Sequence, residues 1–252
     1  MTQCVAITGS TTGIGYAIAE AFVRSGARVV INSHLDDDGA AARLAQFGEC
    51  HFVRADIGTV AGAQAFVAAA RGTLGQLDVL VNNAGTYRDS AFDELTEEQF
   101  DRTYALNVKG YLFAAQAFAK GLVPGQENPS IICVGSTNSL AAEKNSVIYD
   151  SSKGAVLMLI RSLAVTLAER GIRVNGIGPG IVETPLTAKG LATPGVRPTL
   201  ERQIPLGRVA MPDDIGGTAV FLASPAARYI TGQILYVDGG ILANQMSWEP
   251  AT

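Results

Sequence analysis

Short apolar, β-branched runs alternate with alanine-rich segments of helical period along nearly the whole chain, and this alternation restricts the fold more than any other feature. The runs are CVAIT (4–8), ARVVIN (27–32), CHFVRA (50–55), LDVLVNN (77–83), PSIICVG (129–135), IRVNGIG (172–178) and QILYVDGG (233–240). Helical periodicity occupies 14–25, 37–47, 59–73, 97–122, 147–169 and 212–223. Alternation of this kind predicts βαβ crossovers and a parallel sheet covered by helices on both faces. The runs are continuously apolar, as they must be when both faces of a strand are buried. No internal repeat or low-complexity linker interrupts them, so residues 1–252 read as one doubly wound α/β domain. One segment breaks the rhythm: 184–208 holds four prolines between a strand and the last helix. It reads as a surface loop or as a lid over a site.

The 252 residues suffice for one large domain with a substantial core, and a 48% hydrophobic composition argues against disorder. The net charge of -4 gives no support for a nucleic-acid or anionic-membrane partner, which would favour a basic surface. Cys4, Cys50 and Cys133 are far apart and odd in number, which reads as buried thiols in a reducing compartment. MTQCVAITGS runs directly into a strand without the pattern of a signal peptide, and no apolar stretch approaches a membrane span. A cytoplasmic protein is expected.

TGSTTGIG (8–15) lies between the first strand and the first helix. Gly9, Gly13 and Gly15 permit a tight turn and close approach of backbone to ligand, and the helix start offers N–H groups to a pyrophosphate. The spacing is GxxxGxG, without the GK[ST] of a nucleoside-triphosphate loop. Asp56-Ile57, Asn82-Asn83-Ala84-Gly85 and Pro179-Gly180 follow other strands, at the edge where doubly wound sheets bind ligands. Asn82 also suits a structural role, satisfying backbone groups at its strand end.

In VIYDSSKGAV (147–156), Tyr149 stands four residues before Lys153, which places both on one helix face. Alone, the pair reads by default as a half-buried tyrosine beside a surface lysine. His34 and His51 are the only histidines and fit neither a nucleophilic triad nor a metal cluster, so no metal is expected. Asp36, Asp37 and Asp38 read as a helix N-terminus favoured by the dipole.

TGSTTGIG (8–15), NNAG (82–85), Asn107 in NVKG, Ser136, YDSSK (149–153) and PGIVET (179–184) occur in this order and at these separations. From Thr8 to about Gly240 the chain resembles the classical short-chain dehydrogenase/reductase family. That resemblance implies a seven-stranded Rossmann-type sheet, a homotetramer or homodimer, and hydride transfer between a nicotinamide and an alcohol or carbonyl. It implies Tyr149 as general acid/base, Lys153 as its helper, Ser136 holding the substrate oxygen and Asn107 supporting a water chain. The implied cofactor contacts are Gly9, Thr12, Gly13, Ile14, Gly15, Ser33, His34, Asp56, Ile57, Asn83, Ala84, Gly85, Tyr149, Lys153, Pro179, Gly180, Val182 and Thr184. Physically, a free phenol titrates near ~10, and a lysine ammonium beside it favours the phenolate.

The position that usually carries an acidic residue for NAD is Ser33, and the NADP markers are replaced by Thr12 and His34. An inward-facing acidic run at 36–38 would repel a 2′-phosphate, so the expectation is NAD or NADP, tipped slightly to NAD. Ser136, Asn138, Lys144 and Tyr149 are the expected substrate contacts, with Thr86, Tyr87, Arg88, Ser139, Glu143 and Asn145 close by. Lys189, Arg197 and Arg202 add cations in the 181–203 segment. A polar pocket suits a sugar or polyol; the alternatives are a 3-oxoacyl thioester and a non-catalytic nucleotide-sensing protein. The tail 243–252 carries Trp248, read as a frayed end or a contact with a neighbouring subunit.

Overall fold

The computed structural model describes residues 2–88 and 90–244. The strands are β1 (Cys4–Ile7), β2 (Arg28–Ser33), β3 (Cys50–Arg54), β4 (Val79–Asn82), β5 (Ser130–Val134), β6 (Arg173–Pro179) and β7 (Ile234–Val237). All pair in parallel in the order β3-β2-β1-β4-β5-β6-β7. The chain winds outward from β1 to β3, then restarts on the other side of β1 with β4. The connections therefore diverge between β1 and β4 and open a crevice at the carboxyl ends of those strands.

Alternate strand residues serve opposite layers. Ala6, Leu80, Ile131 and Val174 face α3 (Val60–Leu74), α5 (Gly110–Lys120) and α6 (Val147–Leu167), where Phe66, Tyr111, Phe118 and Ile160 fill the space. Val5, Ile31, Val81 and Ile132 face α1 (Gly13–Arg24), α2 (Ala40–Ala45) and α9 (Asp213–Ala223), packing on Ile18, Phe22, Leu44 and Leu222. Each large side chain buried in this way contributes about 1.5–3 kcal/mol.

Three expectations change. The helix expected over 97–122 is α4 (Glu97–Tyr104), then a π-helical turn Ala105–Lys109, then α5. Apolar periodicity continues through the extra residue of a π turn, so it does not register in the pattern. The 184–208 segment is not one loop; it folds into α7 (Ala188–Leu191) and α8 (Val196–Gln203), whose Leu191 packs with Ile204 and Val209 in a small separate cluster. Finally, Val147–Arg170 is 24 residues long and contains an 18-residue stretch of mean hydropathy 1.3, long and apolar enough to cross a membrane by length and composition. Here the run packs on the sheet. Trp248 lies outside the described residues, as does all of the tail from 245.

Candidate active site

The glycine turn is clamped from two sides. Thr8 Oγ1 accepts from the backbone N–H groups of Asn83 (2.9 Å) and Ala84 (3.0 Å), and Asn83 Nδ2 donates to the carbonyls of Thr8 (3.0 Å) and Gly9 (2.7 Å). On the other side Asn32 Oδ1 accepts from Gly9 N at 3.2 Å, while its Nδ2 donates to the Val53 and Ala55 carbonyls. The turns after β1, β3 and β4 and the Asn32 side chain near the end of β2 thus form one hydrogen-bonded rim. Gly9 sits at φ +59°, and a Cβ there would meet Ala84 Cα at 2.7 Å, so backbone and NNAG loop touch with no side chain between them. Thr12, at the N-cap of α1, makes no side-chain cap, and no acidic residue occupies the first turn. The helix-start amides and their partial positive charge are left to the cleft, which fits a pyrophosphate.

This rim borders a cleft of about 710 Å³. Its lining holds Gly9, Thr12, Gly13, Ile14, Gly15, Ser33, His34, Asp56, Ile57, Asn83, Ala84, Gly85, Pro179, Gly180, Val182 and Thr184, every position expected to meet the cofactor. Ser136, Tyr149 and Lys153 form the opposite wall. Asn32 is a lining residue that sequence reasoning missed, because a buried amide inside an apolar strand looks like strand interior. Arg102 and Leu106, on α4 and the π turn, also line the cleft unanticipated.

Lys153 is almost wholly buried, with Nζ 3.0 Å from the Val134 carbonyl and 5.5 Å from the centre of the Tyr149 ring. The Tyr149 ring stands edge-on to Tyr87 at 4.8 Å, and Tyr149 and Ser136 line the same cleft. Burial pushes the phenol up to about 12; the neighbouring Ser136 hydroxyl opposes this, and the Glu143 and Asp150 carboxylates add to it. Burial likewise pulls the Lys153 amine down to about 8. The expectation that the lysine lowers the phenol is therefore not met in the protein alone, because desolvation disfavours both charged forms.

Asn107 stands apart from the cleft lining. Its amide accepts from Thr86 N (2.9 Å) and donates to the Thr86 carbonyl and Ser152 Oγ (both 3.1 Å), tying the loop after β4 to α6. Among the expected substrate contacts, Ser136 and Tyr149 face the cleft but Asn138 and Lys144 do not line it. Asn138 is buried, with its amide spent on Ser136 and Asp150, and Lys144 is exposed on the following loop. The cations near the entrance are partly committed too: Arg197 pairs with Glu183 at 2.7 Å, and Arg202 donates to Thr199. Nor does the acidic run face inward. Asp37 caps α2 through Ala41 N, and Asp36 pairs with Arg54 at 3.3 Å.

Replacing Lys153 by methionine tests the burial of the amine. The Val134 carbonyl keeps the Tyr111 hydroxyl as a donor at 3.2 Å, so the fold should survive. With a folded value of about 8 against 10.5 unfolded, the amine costs stability in full below pH 8. Between pH 8 and 10.5 the unfolded chain holds a proton that the folded one has released, so stability rises with pH. Thermal melts of wild type should gain on Lys153→Met across that window; parallel curves would contradict the assignment.

A dinucleotide cradle facing a serine, a tyrosine and a buried lysine across one cleft defines a Rossmann-type oxidoreductase that works on alcohol or carbonyl groups. A family model described as Enoyl-(Acyl carrier protein) reductase matches residues 9–242. The chain is 37% identical to the L-rhamnose 1-dehydrogenase (NAD(P)(+)) of Azotobacter vinelandii, covering 96% of this chain and 97% of that one. It is 37% identical to the sorbitol dehydrogenase of Cereibacter sphaeroides, covering 93% and 95%. The crystal structure of 3-oxoacyl-[acyl-carrier protein] reductase from Brucella melitensis in complex with NAD superposes with a TM-score of 0.92 at 29% identity, covering 98% and 99%. The chain belongs to the classical short-chain dehydrogenase/reductase family and is an NAD(P)-dependent oxidoreductase acting on CH–OH groups.

Proposed function

We propose that this protein is a sugar or polyol dehydrogenase in which Tyr149 exchanges the proton and Ser136 holds the reacting oxygen. The observation that carries this reading is the convergence of Ser136, Tyr149 and Lys153 on one wall of the cleft, opposite the glycine turn. When bound, the nicotinamide supplies the hydride acceptor or donor. Tyr149 gives its proton to a carbonyl oxygen or takes one from an alcohol, and the Ser136 hydroxyl bonds that oxygen as its charge changes. Lys153 is placed to donate to ribose hydroxyls and, when protonated, to stabilise the phenolate. Asn107 holds the Thr86 loop against α6 and keeps the wall in register.

Both dinucleotides should serve. With Asp36 held by Arg54 and Asp37 capping α2, the acidic run has no inward face to repel a 2′-phosphate, and the tilt to NAD loses its basis. The similarity to dehydrogenases of L-rhamnose and sorbitol supports a polyhydroxylated substrate. The likeness to the Brucella reductase supports reduction of a 3-oxoacyl thioester as the second reading.

L-rhamnose, sorbitol, gluconate and acetoacetyl thioester, each offered with NAD and NADP and followed at 340 nm, separate the readings. Turnover of a sugar or polyol with no thioester reduction is the expected result. The reverse pattern establishes the thioester reading, and dinucleotide binding without any turnover would point to a sensing protein. Residues 184–208, whose Leu186 and Thr187 line the cleft, form a lid in this reading. Bound dinucleotide should slow proteolysis there at least severalfold, and unchanged cleavage removes the lid.

We also place the protein in the cytoplasm as a homodimer or homotetramer. The exposed apolar side chains of Phe100 and Leu112, and of Met158 and Val165 on neighbouring α6, support association. Light scattering giving a monomer would refute it.

A further inference from the structure

We propose that Arg54, at the end of β3, receives the 2′-phosphate of NADP by exchanging its pair with Asp36 for the phosphate, so that one cleft takes both dinucleotides. The inference deepens the cofactor reading above and rests on the glycine turn holding a dinucleotide.

Strand register brings Arg54 to the site. Ser33, the last residue of β2, lines the cleft at the position where doubly wound sheets commonly carry an acidic residue for the ribose 2′-OH. In the parallel pairing of β2 with β3, Ser33 stands opposite Arg54. Partners on adjacent strands point to the same face of a sheet, about 4.8 Å apart. That face is the one covered by α1 and α2. Ile31 and Phe52, two residues before Ser33 and Arg54, both pack there with Ile18 and Leu44. The start of α1, capped by Thr12, lies on this side as well. A cation is therefore placed beside the 2′-OH position. Arg54 stands just outside the cleft lining, next to Ala55, which belongs to it.

The guanidinium is oriented but not used up. Its Nε donates to the His34 carbonyl at 3.2 Å, which fixes the plane of the fork beside a second lining residue. Nη1 donates to Asp36 Oδ1 at 3.3 Å, and Nη2 makes no hydrogen bond among the described residues. The Arg54 and Asp36 side chains are 62% and 86% exposed, and an ion pair so exposed contributes little to stability. A phosphate dianion carries more charge than a carboxylate and accepts two parallel bonds from an arginine fork. Asp36 then serves as an exchangeable counter-ion: NAD leaves the pair intact, and NADP replaces the carboxylate by phosphate. The neighbouring charges are committed elsewhere. Asp37 caps α2 through Ala41 N, and Arg43 donates to the Asp38 carbonyl and lies over the Tyr16 ring at 5.6 Å.

Calorimetric titration of the whole protein with NADP, NAD, 2′,5′-ADP and 5′-AMP reads this assignment without any turnover. Each pair of probes differs in the 2′-phosphate alone. Arg54→Gln should weaken NADP and 2′,5′-ADP about tenfold to a hundredfold and leave NAD and 5′-AMP within about twofold. Arg54→Lys keeps the charge but loses the fork, and should fall between the two. Asp36→Asn removes the competing carboxylate, so NADP should bind severalfold more tightly with NAD unchanged. The loss in Arg54→Gln should shrink as salt is raised, because screening weakens an exposed charge pair.

Equal weakening of NADP and NAD in Arg54→Gln would mean that the arginine merely supports the His34 loop, and that result overturns the proposal. So does undiminished NADP binding in the same variant, or a wild type that binds NAD but not NADP. Looser NADP binding in Asp36→Asn would refute the exchange. Binding of neither dinucleotide would refute the cradle itself. Dinucleotide binding without sugar turnover would instead count against the substrate reading and leave the Arg54 assignment standing, because no substrate enters the titration.

Discussion

Turnover should fall by about three orders of magnitude or more when Tyr149 is replaced by phenylalanine, while dinucleotide binding and the melting temperature stay close to wild type. A positioned general acid or base contributes about 10²–10⁴. No neighbour can take over: Ser136 is a poor base, and the Lys153 amine is turned to the Val134 carbonyl. The substitution removes a single hydroxyl, and the ring can keep its edge-on contact with Tyr87 at 4.8 Å. Hydride transfer followed at 340 nm, with calorimetric titration of NAD on the same variant, reads both halves of the expectation. Turnover within tenfold of wild type would remove Tyr149 from the proton-transfer role.

The second large effect belongs to the cradle. In Gly15→Ala the added Cβ collides with Asn83 Nδ2 and the Gly9 carbonyl and comes within 2.8 Å of Ser10 Cα. Those first two atoms are donor and acceptor of the 2.7 Å bond that clamps the glycine turn to the loop after β4. Forcing an extra carbon into such a site costs about 1–3 kcal/mol. Because the same atoms shape the cradle, NAD affinity should fall about tenfold to a hundredfold, each tenfold being about 1.4 kcal/mol. Gly217→Ala is the control: it lies on exposed α9 surface with nothing within 4 Å of the new carbon, and should be neutral or slightly stabilising. Equal behaviour of the two variants in melts and in NAD titration would show that the turn tolerates a side chain.

Much of the fold is legible in the chain because it follows from local rules. A strand buried on both faces must be largely apolar, as Val79, Leu80 and Val81 of β4 are; a crossover helix must carry an apolar stripe, as α1 does with Ile18 and Phe22. The motif residues that line the cleft were also visible, because glycines and a Tyr-Lys pair at fixed spacing are unusual and carry a stated chemistry. Asn32, the π turn and Asp150 were not. Asn32 occupies a strand position where an apolar residue would do equally well for packing. Asp150 reads as an ordinary first-turn carboxylate of α6. It accepts from Asn138 Nδ2, twelve residues away, and from Glu143 N, and neither partner shows in its sequence position.

By itself the sequence determined the layered parallel architecture, the edge of the sheet that carries the site, and the residue types available for chemistry. Each of these depends on periodicity or on contacts between neighbours in the chain. Only the tertiary structure decided that burial outweighs the Tyr149–Lys153 pairing in the protein alone. It also decided that Asp36 faces Arg54, that Asn138 is spent within the wall, and that the 184–208 segment folds as two helices. Such outcomes turn on desolvation and on the direction of single hydrogen bonds between residues distant in sequence, quantities that exist only once the chain has closed around them.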